Sequence, residues 1–113
     1  MQEYYTMEQY AATLQELYDR IPRRHSVDNV KEINGILNDY ESILTRIEGL
    51  NAWYEKNTAA FYPSLDTIRN TIKMSTSNKA SKKGKDDLFD EASGNLKDDI
   101  QSLIKIYGDG SKT

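Results

Sequence analysis

Cysteine is absent from this 113-residue chain. That removes disulfides, thiolate nucleophiles and thiolate metal sites. Proline is scarce, with two residues, and most of the six glycines fall near the ends of periodic segments. An extended all-β fold needs more turn chemistry than this. No apolar run approaches the ~18 residues of a membrane helix, so no membrane span is expected. The opening Met1-Gln2-Glu3-Tyr4-Tyr5 is acidic and polar rather than basic and apolar, so no signal peptide is expected and the simplest address is the cytoplasm. His25 is the only histidine and sits in a Pro-Arg-Arg-His turn, which predicts a solvated residue rather than a triad member or metal ligand. Neither a metal site nor a cofactor is expected.

What remains is helical patterning and sorted charge. Hydrophobic residues make up 37% of the chain and charged residues 29%, with a net charge of -3. Residues 1–62 carry six Lys/Arg against ten Asp/Glu, and residues 63–113 carry nine against eight. In the second half Lys73, Lys79, Lys82, Lys83 and Lys85 form a basic run. Asp86, Asp87, Asp90, Glu91, Asp98 and Asp99 follow against Lys97 alone.

Thr6 and Gln9 have capping-box spacing. Met7, Tyr10, Ala11, Leu14, Leu17, Tyr18 and Ile21 then share one face, and Pro22 stops the segment. The first helix is predicted at about 4–20. Ser26 is the expected N-cap of the second. There Val30, Ile33, Leu37, Tyr40, Leu44 and Ile47 keep +3/+4 spacing, with Ile36, Ile43 and Leu50 in a row beside them. The combined arc of about 160° is wider than a two-stranded coiled coil needs and predicts at least two helical neighbours. Gly49 and Asn51 could end this helix through a left-handed C-cap. Leu50, Tyr54 and Phe61 keep the phase, however, so continuation is expected and the helix is placed at about 27–61.

Pro63 marks a break, and Ser64 is expected to cap a short third helix at about 64–74 carrying Leu65, Ile68 and Ile72. The Ser/Lys-rich stretch 75–85 has too little apolar surface to offset its ordering entropy and is predicted to be a flexible linker. The last helix, about 86–107, is expected to open on Asp86 and Asp87, which suit the positive end of its dipole. Phe89, Ala92, Leu96, Ile100, Leu103, Ile104 and Tyr107 form its apolar face, with Gly108 as C-cap and 108–113 as a disordered tail. The fold expected is a single all-α domain: an antiparallel bundle of three to four helices with a long central helix.

The terminal Gly-Asp-Gly-Ser-Lys-Thr fails the phosphate-loop pattern, because Ser111 precedes the lysine and no strand precedes the loop. The acidic run lacks the alternating ligands and glycine of a calcium loop. Lys79, Lys82, Lys83 and Lys85, with Arg23 and Arg24, are candidates for phosphate contact. Without interleaved aromatics, and with carboxylates next to them, they make nucleic acid a secondary expectation. Of the eight tyrosines, Tyr4, Tyr5, Tyr54 and Tyr62 are hard to place inside one bundle; with Trp53 they are the candidate interface residues.

In length, absent cysteine and helix content the chain resembles the small secreted helical hairpins of the WXG type. The resemblance implies a small secreted helical protein as an alternative. The family's Trp-x-Gly turn is missing, because Tyr54 and Glu55 follow Trp53. Its C-terminal Tyr-x-x-x-Asp/Glu pattern is missing too, because Ser111 is the fourth residue after Tyr107. No membership is assigned. The function expected is that of a non-catalytic interaction module that binds a protein partner or a second copy of itself.

Overall fold

The computed structural model describes residues 7–110, with side chains from Gln9 to Ile106. Five helices follow in order: α1 Met7–Arg20, α2 Val27–Glu48, α3 Ala52–Thr58, α4 Phe61–Ser75 and α5 Lys82–Gly110. There is no strand among the described residues. Going round the bundle the order is α1, α2, α4, α5. The most extensive pairing is α4 with α5, and α3 lies against both α2 and α5. At 1.5 Å per residue the 29 residues of α5 span about 44 Å. That helix therefore sets most of the 48 Å long axis.

One apolar cluster fills the interior. It takes Tyr10, Leu14, Leu17 and Ile21 from α1, the Ile33–Ile47 row from α2, Phe61, Leu65, Ile68 and Ile72 from α4, and Phe89, Ala92, Leu96, Ile100 and Leu103 from α5. All seven apolar positions of α2 from Ile33 to Ile47 are buried. Three helical neighbours cover the wide arc completely, so its width gives no ground for a contact outside the chain.

Several helix ends differ from the sequence expectation. Ser26 caps α2 as expected, accepting from the Asn29 N–H at 3.0 Å. The continuous helix at 27–61 is corrected: it is three elements, and the first break falls at Gly49–Asn51. Gly49 ends α2 in right-handed geometry, and no described residue has the positive φ of a left-handed cap. What breaks the helix is Asn51. Its extended backbone (φ -169, ψ 176) lets its side chain accept from the Tyr54 N–H at 3.0 Å, so it starts α3 instead of continuing α2.

Pro63 does not break a helix. It occupies the first turn of α4, where its missing N–H costs nothing. Ser64 is correspondingly not a cap, and α4 begins at Phe61 with no side-chain cap. The linker is shorter than 75–85, because α5 begins at Lys82. The Ser81 hydroxyl accepts from the Gly84 N–H at 3.0 Å and its carbonyl from the Lys85 N–H at 2.9 Å, which is an N-cap. This capping outweighs the unfavourable placement of three lysines at the positive end of the dipole. At its other end α5 runs through Gly108 to Gly110 rather than stopping at a glycine cap. Thr6 and residues 111–113 of the expected tail lie outside the described residues.

Candidate functional site

Two surface regions gather the residues singled out from the sequence. The first is the break between α2 and α3. Leu50 and Trp53 stand on either side of the Asn51 cap and are 46% and 38% exposed. Leu50 extends the Ile36–Ile43 row by seven residues and was expected beside it in the core. The turn at Gly49–Leu50 rotates it out. Trp53 meets the Tyr54 ring edge-on at 5.2 Å. Tyr54 itself is 5% exposed, and burial raises its hydroxyl pKa. Its place among exposed interface residues is therefore corrected: it forms the floor of this region. Tyr62 packs half-buried against the core, with its hydroxyl 3.3 Å from Thr45 Oγ1 across α2 and α4. Burial raises its pKa, the Thr45 hydrogen bond opposes that, and the nearby Glu48 and Glu41 add to the rise. Tyr4 and Tyr5 lie outside the described residues. Of the three candidates among the described residues, Trp53 is the one left open as a large apolar surface.

The second region lies where the α1–α2 turn meets the start of α5. Ser93 Oγ donates to the Pro22 carbonyl at 2.9 Å, and Asn29 Nδ2 donates to the Arg24 carbonyl at 2.8 Å, so the turn is fixed from both sides. Arg23, Arg24 and Lys82 share a cleft of about 520 Å³ there. The cleft is equally lined by Asp86, Asp87 and Asp90. Lys83 pairs with Asp87 at 3.7 Å, and both side chains are well exposed. Lys79 sits in the 76–81 loop, and Lys85 in the first turn of α5. The candidate phosphate contacts are thus partly assembled, but against carboxylates of similar number. His25 is not the solvated turn residue expected. Its ring meets Phe89 edge-on at 5.9 Å, and its Nε2 is buried without a hydrogen-bond partner among the described residues.

Among the described residues no three His, Asp or Glu side chains converge to hold a metal ion. Among them too, no helix is long and apolar enough to cross a membrane.

No family model, curated protein or solved structure matches this chain.

A third feature, without a signature in the sequence, lies inside the bundle. Tyr40 on α2 is fully buried, and its hydroxyl has no hydrogen-bond partner among the described residues. Asp99 on α5 accepts a hydrogen bond at Oδ2 from Ser64 Oγ on α4. Burial raises the Asp99 carboxyl pKa from its ordinary value, the Ser64 bond opposes the rise, and Asp98 adds to it. Burial above all, then Asp99 and Tyr62, push the Tyr40 hydroxyl far up, so it stays neutral. The heptad pattern signals the burial of Tyr40, but nothing in the sequence brings residues 40, 64 and 99 together.

Proposed function

We propose that the protein is a non-catalytic helical interaction module that docks on a protein partner through the Leu50–Trp53 surface at the α2–α3 break. One observation carries the reading: two large apolar side chains stay exposed beside a cap, while the α2 row leading to them is buried. A tryptophan with an aromatic floor beneath it is the kind of anchor that dominates protein interfaces. Docking of a second copy on the same surface is the self-associating form of this reading, and sedimentation equilibrium at micromolar concentration separates it from a monomer. The reading goes with the cytoplasmic address expected from the sequence, which fractionation of the source cells checks.

The test is binding to a partner captured from the source cells and then purified. Trp53→Ala should keep the helical circular dichroism and weaken the purified complex by ~2 kcal/mol or more, roughly thirtyfold. Unchanged affinity contradicts the docking surface.

A second reading rests on the convergence of Arg23, Arg24 and Lys82 on one cleft. It is that of a nucleic-acid accessory protein. Asp86, Asp87 and Asp90 in the same cleft oppose it. It requires that binding collapse when Lys79, Lys82, Lys83 and Lys85 are neutralised, and that it fall steeply with salt.

A further inference from the structure

We propose that residues 1–6, which carry Tyr4 and Tyr5, lie over the Leu50–Trp53 surface and compete with the partner for it. The covering stands by itself, and the competition rests on the docking reading above.

The chain enters the fold beside that surface. Arg20, the last residue of α1, reaches Glu32 at 3.0 Å and Asp39 at 3.9 Å on α2. Earlier on α1, Tyr10 and Thr13 share a cleft with Ser42, Ile43 and Arg46. The two helices therefore run antiparallel, and the start of α1 stands beside the end of α2. Met7 is three residues before Tyr10, and Leu50 is four residues beyond Arg46. Six extended residues span up to ~20 Å. One helical turn rises only about 5.4 Å, and neighbouring helix axes lie ~8–10 Å apart. Residues 1–6 are thus long enough to reach Leu50 and Trp53.

Their composition suits the place. Met1, Tyr4 and Tyr5 supply apolar and aromatic surface, and neither tyrosine belongs to a periodic face of the bundle. Leu50 and Trp53 offer an exposed leucine and an indole that the Tyr54 ring meets edge-on at 5.2 Å. A tyrosine laid there buries apolar area while its hydroxyl stays in water. The tether decides between this occupant and a second copy. A short tether holds the segment at an effective concentration on the order of millimolar, well above that of another chain in micromolar solution.

Trp53 is the only tryptophan of the chain, so its fluorescence reports on this surface alone. The experiment is acrylamide quenching of the intact chain, excited where tyrosine does not absorb, in wild type and in Tyr4→Ala/Tyr5→Ala. We expect a steeper quenching slope and a red-shifted emission in the double variant, with a wild-type slope unchanged on dilution. Equal slopes in the two proteins overturn the cover. A wild-type slope that steepens on dilution also overturns it and assigns the surface to a second copy. A measurement on the wild type alone is independent of how the variant folds: nuclear Overhauser contacts between a Tyr4 or Tyr5 ring and the Trp53 indole are expected, and their absence overturns the proposal.

Affinity for the purified partner tests the competition. Tyr4→Ala/Tyr5→Ala should bind tighter, about tenfold if the segment covers the surface nine-tenths of the time. Unchanged affinity in that variant overturns the competition. The cover and the docking reading fail in different ways. Steeper quenching with an affinity that Trp53→Ala leaves unmoved keeps the cover and defeats the docking reading. Equal quenching slopes with an affinity weakened by Trp53→Ala defeat the cover and keep the docking reading.

Discussion

Ile36, Ile43 and Leu50 stand seven residues apart on one helical row, yet the first two are buried and the third is 46% exposed. The chemistry of the three side chains is nearly the same. What differs is the backbone beneath them. Up to Glu48 the helix is unbroken, and its apolar row is buried where α2 packs against α1, α3 and α4. From Gly49 the turn, and then the Asn51 cap, rotate the row away from its neighbours. Periodicity thus predicts burial only while the helix that carries it continues. A single capping side chain converts a core position into a candidate docking surface.

The contrast fails if the two stretches respond alike to truncation, so the largest expected effect lies there. Leu44→Ala, at a fully buried site, should cost ~2–5 kcal/mol through lost burial and the cavity left behind. Leu50→Ala should stay within ~0.5 kcal/mol, as at a surface site. Urea unfolding of both variants measures this. Equal losses would mean that Leu50 belongs to the core.

The break itself is sharpened by Asn51. Asn51→Ala removes the acceptor for the Tyr54 N–H and should cost ~1 kcal/mol, whereas Asn51→Asp or Asn51→Ser should retain most of it. If all three variants are equally stable, the cap does not determine the break.

Glycine gives a smaller effect of opposite sign. A Cβ at Gly35, inside the unbroken part of α2, would meet nothing within 4 Å, so Gly35→Ala should stabilise by ~0.5–1 kcal/mol. At Gly49, where the helix is ending, the added carbon would sit 3.6 Å from the Thr45 and Arg46 carbonyl oxygens, and the gain should be less. Comparing the two melting curves tests whether the helix is interior at 35 and terminal at 49.

The smallest effect concerns charge across the unbroken part. Arg69 on α4 reaches Glu41 on α2 at 2.8 Å, with both side chains partly exposed. A double-mutant cycle should return ~0.2–1 kcal/mol, decreasing with salt. A much larger value would mean that α4 is held on α2 by charge rather than by the apolar interior.

Much of the bundle was legible because it is written locally. The +3/+4 spacing marked the buried faces of α1, α2 and α5, and Ser26 announced the start of α2. The helix ends were harder because each is decided by one competing contact. Leu50, Tyr54 and Phe61 preserved the helical phase across Asn51, and only the cap hydrogen bond at that residue interrupts it. Pro63 reads as a break in isolation, but the first turn of α4 tolerates it. The acidic pair Asp86–Asp87 suggested a helix start that the Ser81 cap moved one turn earlier. Trp53 was legible as a residue off the seam, whereas Tyr54, grouped with it as an interface residue, became its buried floor. The Tyr40–Ser64–Asp99 cluster had no local signature, since its members lie on three helices and far apart in the chain.

α2 ends before Asn51, and the break turns Leu50 and Trp53 outward. Backbone carbon-13 chemical shifts across residues 45–58 test it most directly. Helical shifts are expected up to Glu48, an extended value at Asn51, and helical shifts again from Ala52 to Thr58. Uninterrupted helical shifts from Thr45 through Thr58 would contradict it.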